Sequence, residues 1–339
     1  MPIPSDWIFL LMTTSYQLLA TLIENRTNKP PGQLIDVGGY KLHLNSQGEG
    51  YPTVIIDHSL GGIEGDFLIE EIAKITRVCI YDRAGYGWSD LSPKPRCSEE
   101  IIKELDILLT KADIEPPYIL VGNSFGSYNV RLYCDRFPEK VIGIVLTDGL
   151  HEKEMLKMPF SLIILKFFFM SGFAISTLGA TLGLIRILGN LGVFELIKPQ
   201  LRTFPSKTLA KVKRSFFRPK HWLTMWREMW NLEASARQVS QIDNLSKIPI
   251  INIKAKTFFQ QTIGTFYMPI AAGDRLRDKM HEELLKLSTN CKQIQASNSS
   301  HFVWIDEPEI IVEAIREIIN ASGELINTKL YCRGARRAP

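Results

Sequence analysis

The 339-residue sequence predicts an α/β fold, with a mostly parallel central sheet, flanking helices and an inserted helical cap. Three observations predict it. Short apolar runs of strand length alternate with helical patterns up to Asp148 and again after Leu245. Between Gly149 and Leu245 that strand rhythm stops. And Tyr118 to Tyr128, read as YILVGNSFGSY, joins an apolar run to a helical pattern through a turn that places Ser124 between Gly122 and Gly126. This is strand, tight turn, helix. Glycine at both flanks relieves the crowding of a strained apex, so the Ser124 hydroxyl stands clear of the sheet, beside the amides of the next helix's first turn.

Taken in order, Trp7 to Ile23 carries no charge between Asp6 and Glu24. It sits at the lower edge of the roughly 17 to 25 residues a bilayer requires, and Thr13 to Gln17 interrupts its apolar character. Residues 1–6 lack the basic region that opens a signal peptide. The segment reads as a membrane anchor or interfacial helix, or alternatively as a helix packed on the fold. Asn28 to Gly32 (NKPPG) follows as a stiff linker.

Leu34 to Asn45 alternates polar and apolar residues around Gly38-Gly39, which predicts a hairpin of two strands. Thr53 to Asp57 is a buried strand running into His58-Ser59-Leu60-Gly61-Gly62, a loop of small residues whose amides can approach a ligand. Arg77 to Asp82 is a fourth strand, ending in RAGYGWSD. Ser98 to Thr110 is an amphipathic helix with Ser98, Glu99 and Glu100 at its start. The Ser124 strand is next, and Val141 to Thr147 is a sixth strand, ending at Asp148. The sheet resumes at Ile248 to Ile253. Arg275 to Leu287 is helical in pattern, Gln293 to Ala296 is a strand, Ser299 to Phe302 is a loop and Pro308 to Ile319 is a helix. The chain divides into an N-terminal hydrophobic segment and linker (1–32), two core parts (33–149 and 246–322), a helical cap (150–245) and a basic tail (323–339).

A net charge of +4 with 22% charged residues gives no reason to expect nucleic acid as a partner. Five scattered cysteines (Cys79, Cys97, Cys134, Cys291, Cys332) without CxxC or Cys/His spacing argue against a disulfide framework or zinc site. No metal or cofactor is expected. Inside the cap, Phe167 to Ile185 is uncharged between Lys166 and Arg186, as a membrane span or a hydrophobic lid would be. Between Glu195 and Glu228 come nine basic residues and no acidic one: Lys198, Arg202, Lys207, Lys211, Lys213, Arg214, Arg218, Lys220 and Arg227. Phe204, Phe216, Phe217, Trp222 and Trp226 interleave with them. The run reads either as a surface for anionic membrane or as a solvated face of the cap helices.

With GNSFG, HSLGG, DRAGYGWSD and SSHFVWIDEPE in this order and spacing, residues 33–322 resemble the α/β-hydrolase superfamily. The likeness is greatest to its capped, lipase/esterase-like and haloalkane-dehalogenase-like branch. The resemblance implies Ser124 as nucleophile, His301 as general base, and the backbone N–H groups of Leu60 and Phe125 as the oxyanion hole. Asn123 stands where relatives commonly have histidine, and Ser299-Ser300 where they have glycine. For the acid, the seventh strand ends without a carboxylate. Asp148, ending the sixth strand, fits the alternative position used by some relatives, and Asp274 in AAGDRL resembles the usual loop. Either would hold the imidazole tautomer and stabilise the imidazolium. Asp82-Arg83 reads as a brace for the neighbouring loop and His58 as a packed histidine, while His43, His151, His221 and His281 show no catalytic pattern.

A serine at the elbow suits acyl transfer, where aspartate would suit dehalogenation or epoxide opening. The expected activity is hydrolysis of a carboxylic ester or related acyl bond in a small hydrophobic substrate, through an acyl-enzyme, at a membrane or alternatively in the cytoplasm. The alternative from another class is a hydrolase fold kept as a ligand-binding or signalling protein at a membrane.

Overall fold

The computed structural model describes residues 5–62, 65–197, 201–202, 204–242, 244–258 and 270–323. The expected tail falls outside the described residues from 324 onward. The chain opens with α1 (Ser5–Thr27), β1 (Gln33–Asp36), β2 (Lys41–Gln47), β3 (Thr53–Asp57), α2 (Gly65–Ala73) and β4 (Val78–Asp82). There follow α3 (Ser98–Lys111), β5 (Tyr118–Asn123), α4 (Gly126–Arg136) and β6 (Val141–Thr147). Among the described residues seven α-helices lie between β6 and β7: α5 (Glu152–Met155), α6 (Phe160–Thr181), α7 (Leu184–Asn190), α8 (Val193–Ile197), α9 (Ser206–Phe216), α10 (Pro219–Trp230) and α11 (Leu232–Val239). The chain then returns through β7 (Ile250–Ala255), α12 (Ile270–Leu284), β8 (Cys291–Ala296), α13 (Val303–Asp306) and α14 (Pro308–Ala321).

The eight strands form one sheet in the order β1-β2-β4-β3-β5-β6-β7-β8. The β1–β2 hairpin and the β2–β4 pair are antiparallel, and the remaining pairs are parallel. Residues of β3, β5 and β6 are buried throughout, as strands covered on both faces must be. Their side chains alternate between two cores. Leu120, Ile144 and Leu146 join Leu105, Tyr128 and Leu132 on one face, whereas Ile119, Val121 and Val145 meet Leu68, Ile72, Ile311 and Ile315 on the other. α2 has no counterpart in the sequence reading. Its short apolar set, Leu68, Ile69 and Ile72, is buried against the sheet. At the start of α3 the cap residue is Cys97, without a side-chain bond, and the amides of Ser98 and Glu99 donate to Ser235 Oγ (3.0 Å) and Gln238 Oε1 (2.9 Å) of α11. Residues of α11 thus satisfy two first-turn amides that have no partner within the helix.

Two readings of the apolar segments change. The uncharged run 167–185 is not one helix, because α6 ends at Thr181 and Gly183 turns the chain at φ +80°. A Cβ there would lie 2.3 Å from the Thr13 carbonyl oxygen of α1, so glycine is needed both for the turn and for the approach of the two helices. And α1 is packed on the cap while leaving its apolar side uncovered. Gln17 donates to the Phe217 carbonyl (2.7 Å) and accepts from Arg186 Nε (2.6 Å), and Glu24 pairs with Arg186 and with Arg218 (2.8 Å). Leu11, Leu18, Leu19 and Leu22 are exposed, as are Phe167, Phe168, Ile175 and Leu178 on α6. Both helices are long and apolar enough to cross a membrane.

The basic run is mostly spent inside the molecule. Lys211 pairs with Asp66 (2.6 Å), Lys213 with Glu195 (2.5 Å), and Arg218 with Glu24. Arg214 lies 3.4 Å from the Trp88 ring centroid, Lys220 donates to the Ser89 carbonyl (2.6 Å) and Arg227 to those of Ser92 and Lys94 (2.8 and 2.5 Å). The interleaved aromatics pack inward: Phe204 against Phe67, and Phe216 against Phe194 and Trp222.

Candidate active site

Ser124 follows the buried strand β5 at φ +49°, a conformation that a sharp turn imposes on a non-glycine residue. The flanking glycines are required by contact. A Cβ on Gly122 would lie 2.6 Å from Val130 Cγ2, and one on Gly126 only 2.4 Å from the Asp57 carbonyl oxygen. The turn is held by Ser124 N donating to the Thr147 carbonyl (3.0 Å) and Ser127 N donating to that of Ser124 (3.0 Å).

Asp148 follows β6 at φ +42°, and its amide donates to Ile253 O of the adjacent strand (2.8 Å). Its Oδ2 lies 2.6 Å from His301 Nδ1. Its Oδ1 accepts from Ala255 N (3.2 Å) and faces His281 Nε2 (3.1 Å), with Arg277 Nη1 3.6 Å from Oδ2. Burial alone would raise this carboxyl. The hydrogen bonds of His281 and His301, with the charges of His301 and Arg277, outweigh it and hold the group well below the usual carboxylate range. Asp274 is turned elsewhere: it accepts from Phe258 N (2.8 Å) and Thr257 Oγ1 (3.1 Å).

The His301 ring stacks on Phe258 at 4.4 Å and meets Trp304 edge-on. In place of glycine, Ser300 ties the loop down, its amide and hydroxyl both donating to Asp306 Oδ2 (2.9 and 2.7 Å). His281, on α12, is a residue the sequence reading set aside. Its Nδ1 lies 3.0 Å from Asn252 Oδ1, so Asn252, His281, Asp148 and His301 form one buried chain, and burial pushes the His281 imidazole below its ordinary value. The available signal was Asn252, a polar residue within the apolar run Ile248 to Ile253.

The loop at residues 58–62 is braced from behind. Arg83, wholly buried, donates to Asp57 Oδ1 (2.7 Å), to the carbonyls of His58 and Ser59 (2.5 and 2.9 Å), and through Nε and Nη2 to Glu228 of α10 (2.8 Å each). Tyr86 also donates to Glu228 (2.8 Å), and Tyr81 to Asp57 (2.7 Å). His58 packs inside, with burial and the Arg83 charge holding it neutral. Asp82 instead accepts from Trp88 N (2.9 Å) and pairs with His43 (2.8 Å).

Ser124, Asp148 and His301 border one cavity of about 340 Å³ together with Leu60 and Phe125. Its walls are mostly apolar, from Met155, Met229, Leu232, Met280 and Phe302, and from Leu162, Leu165, Phe169 and Phe173 on the inner face of α6. Among the described residues no group of three or more His, Cys, Asp or Glu side chains is arranged to hold a metal ion.

A family model described as alpha/beta hydrolase fold matches residues 52–308. The chain belongs to the α/β-hydrolase fold family. An AB hydrolase superfamily protein of Gibberella zeae is 24% identical over 270 residues, covering 72% of this chain and 78% of that relative. An uncharacterized vacuolar membrane protein of Saccharomyces cerevisiae is 32% identical over 140 residues, 35% of this chain and 21% of that one. The chain spans 38% of a Bacillus subtilis relative, the uncharacterized protein YbdG. Among solved structures, a Vigna radiata epoxide hydrolase mutant is similar with a TM-score of 0.65 at 15% identity, covering 85% of this α/β hydrolase and 98% of that chain. At that identity the likeness speaks for the fold alone.

Proposed function

We propose that this α/β hydrolase is a serine hydrolase acting on a carboxylic ester, or related acyl bond, of a hydrophobic substrate. The observation that carries the reading is a serine on a strained elbow sharing an apolar cavity with a histidine whose Nδ1 is held by a buried carboxylate at 2.6 Å. With its proton on Nδ1, His301 keeps Nε2 as the base that takes the Ser124 proton. Attack on the carbonyl forms a tetrahedral oxyanion, which the amides of Leu60 and Phe125 stabilise. Collapse expels the alcohol, protonated by His301, and leaves the acyl-enzyme. A water deprotonated by His301 then releases the acid. Asp148 compensates the imidazolium formed at each step.

Serine at position 124 favours this chemistry over epoxide opening, which would use a carboxylate nucleophile. The apolar faces of α1 and α6 support a membrane-associated position, with α6 separating the cavity from lipid. The test is a chain-length series of chromogenic esters on wild type and Ser124→Ala, with a serine-directed phosphonate as a covalent probe. Turnover is expected only with Ser124 present, and the phosphonate is expected on that residue. Wild-type turnover by Ser124→Ala would refute the assignment.

A further inference from the structure

The α6 residues that line the cavity, Leu162, Leu165, Phe169 and Phe173, fall on one helical face, and Lys166 lies on that face among them. A lysine on a cavity-facing stripe has its charge partly withdrawn from water. Burial lowers the Lys166 ammonium from its ordinary value, and Glu233 only partly offsets this. Glu233 is itself exposed and paired with Arg237 (2.7 Å). The other charges at the cavity wall are engaged: Asp148 with His301, His281 and Arg277, and Arg277 also with Asp274. Among the described residues Lys166 forms no ion pair within 4.0 Å. A half-buried cation facing an apolar cavity gains most from an anion that arrives with an apolar chain.

We propose that Lys166 is a substrate-binding residue that selects an anionic amphiphile, an acyl ester whose apolar chain ends in a carboxylate or phosphate. The ester end lies at Ser124 and the anionic end at the Lys166 ammonium. This rests on the hydrolase reading for the ester end, so its test is made on binding rather than turnover. Titration calorimetry on full-length Ser124→Ala would compare monomethyl with dimethyl esters of linear dioic acids from six to twelve carbons, and an ω-phosphate methyl ester as the second anionic arm. The anionic member of a pair is expected to bind about tenfold tighter at the best chain length, the scale of one charge-assisted hydrogen bond. Preference for the carboxylate or the phosphate arm names the anion. Added Lys166→Met should bring the ratio to about one, Lys166→Arg should keep it, and Lys166→Glu should invert it. Equal affinity for monoester and diester at every length, or a Lys166→Met loss common to both, would overturn the proposal. Neither outcome depends on whether Ser124 turns over esters.

Discussion

At the scale of single residues, the decisive placement is that of the two candidate acids. Asp148 reaches His301 Nδ1 at 2.6 Å, while Asp274 spends its carboxylate on Phe258 N and Thr257. Asp148→Asn is therefore expected to lower kcat by about 10³ to 10⁴, the loss that follows when the imidazole takes the wrong tautomer. Asp274→Asn should cost far less, and the reverse order in steady-state assays would move the role. His281→Gln should lower kcat on the order of ten to a hundredfold with KM held, because it loosens the carboxylate without touching substrate. An unchanged kcat would make His281 a packing residue. Ser124 and His301 were legible because each sits in a local motif with its own turn chemistry. His281 was not, since its partner lies 133 residues away and a helix pattern does not mark which buried polar residue meets which.

Among elements, the join between cap and core rests on charges taken wholly out of water. Arg83, Asp57 and Glu228 have no exposed side-chain surface, and Arg83 meets both carboxylates at 2.7 to 2.8 Å. Such a group is costly to break from one side, because the survivors stay buried and unpaired. Glu228→Met should destabilise the protein by about 3 to 5 kcal/mol in denaturant unfolding, and it should lower ester turnover with the loop that carries Leu60. A loss below ~1 kcal/mol would mean that water enters the cluster and that the cap is held by apolar packing instead. The strands and the cap's place in the chain could be read from periodicity, which is local. The uses of the basic run could not. Charge spacing within Glu195 to Glu228 resembles an external face, yet Asp66, Trp88 and Glu24, which receive several of those cations, come from distant parts of the chain.

For the whole molecule, the consequence is an exposed surface of a different character from the one the composition suggests. Among the described residues, six of the eight basic residues of the run are engaged by the protein itself, so attraction to anionic headgroups loses most of those charges. What α1 and α6 leave outside is mostly apolar. Leu11 and Leu19 of α1 are 69% and 60% exposed and Phe168 and Ile175 of α6 are 66% and 71% exposed, and Gly183 lets α1 approach the turn that ends α6. Each leucine moved into hydrocarbon contributes about 1.5 to 3 kcal/mol, a term that salt does not screen. Flotation with neutral phosphatidylcholine vesicles should therefore be as complete at high as at low ionic strength. Combined Leu11→Gln, Leu18→Gln, Leu19→Gln and Leu22→Gln should abolish it while leaving the fold intact, since all four side chains are exposed. Deleting α1 is the poorer test, because removing Glu24 leaves Arg186 and Arg218 without their carboxylate. Flotation that requires anionic lipid and is released by salt would return the binding to the remaining cations of the cap, and an unaltered quadruple variant would remove α1 from the membrane-facing side.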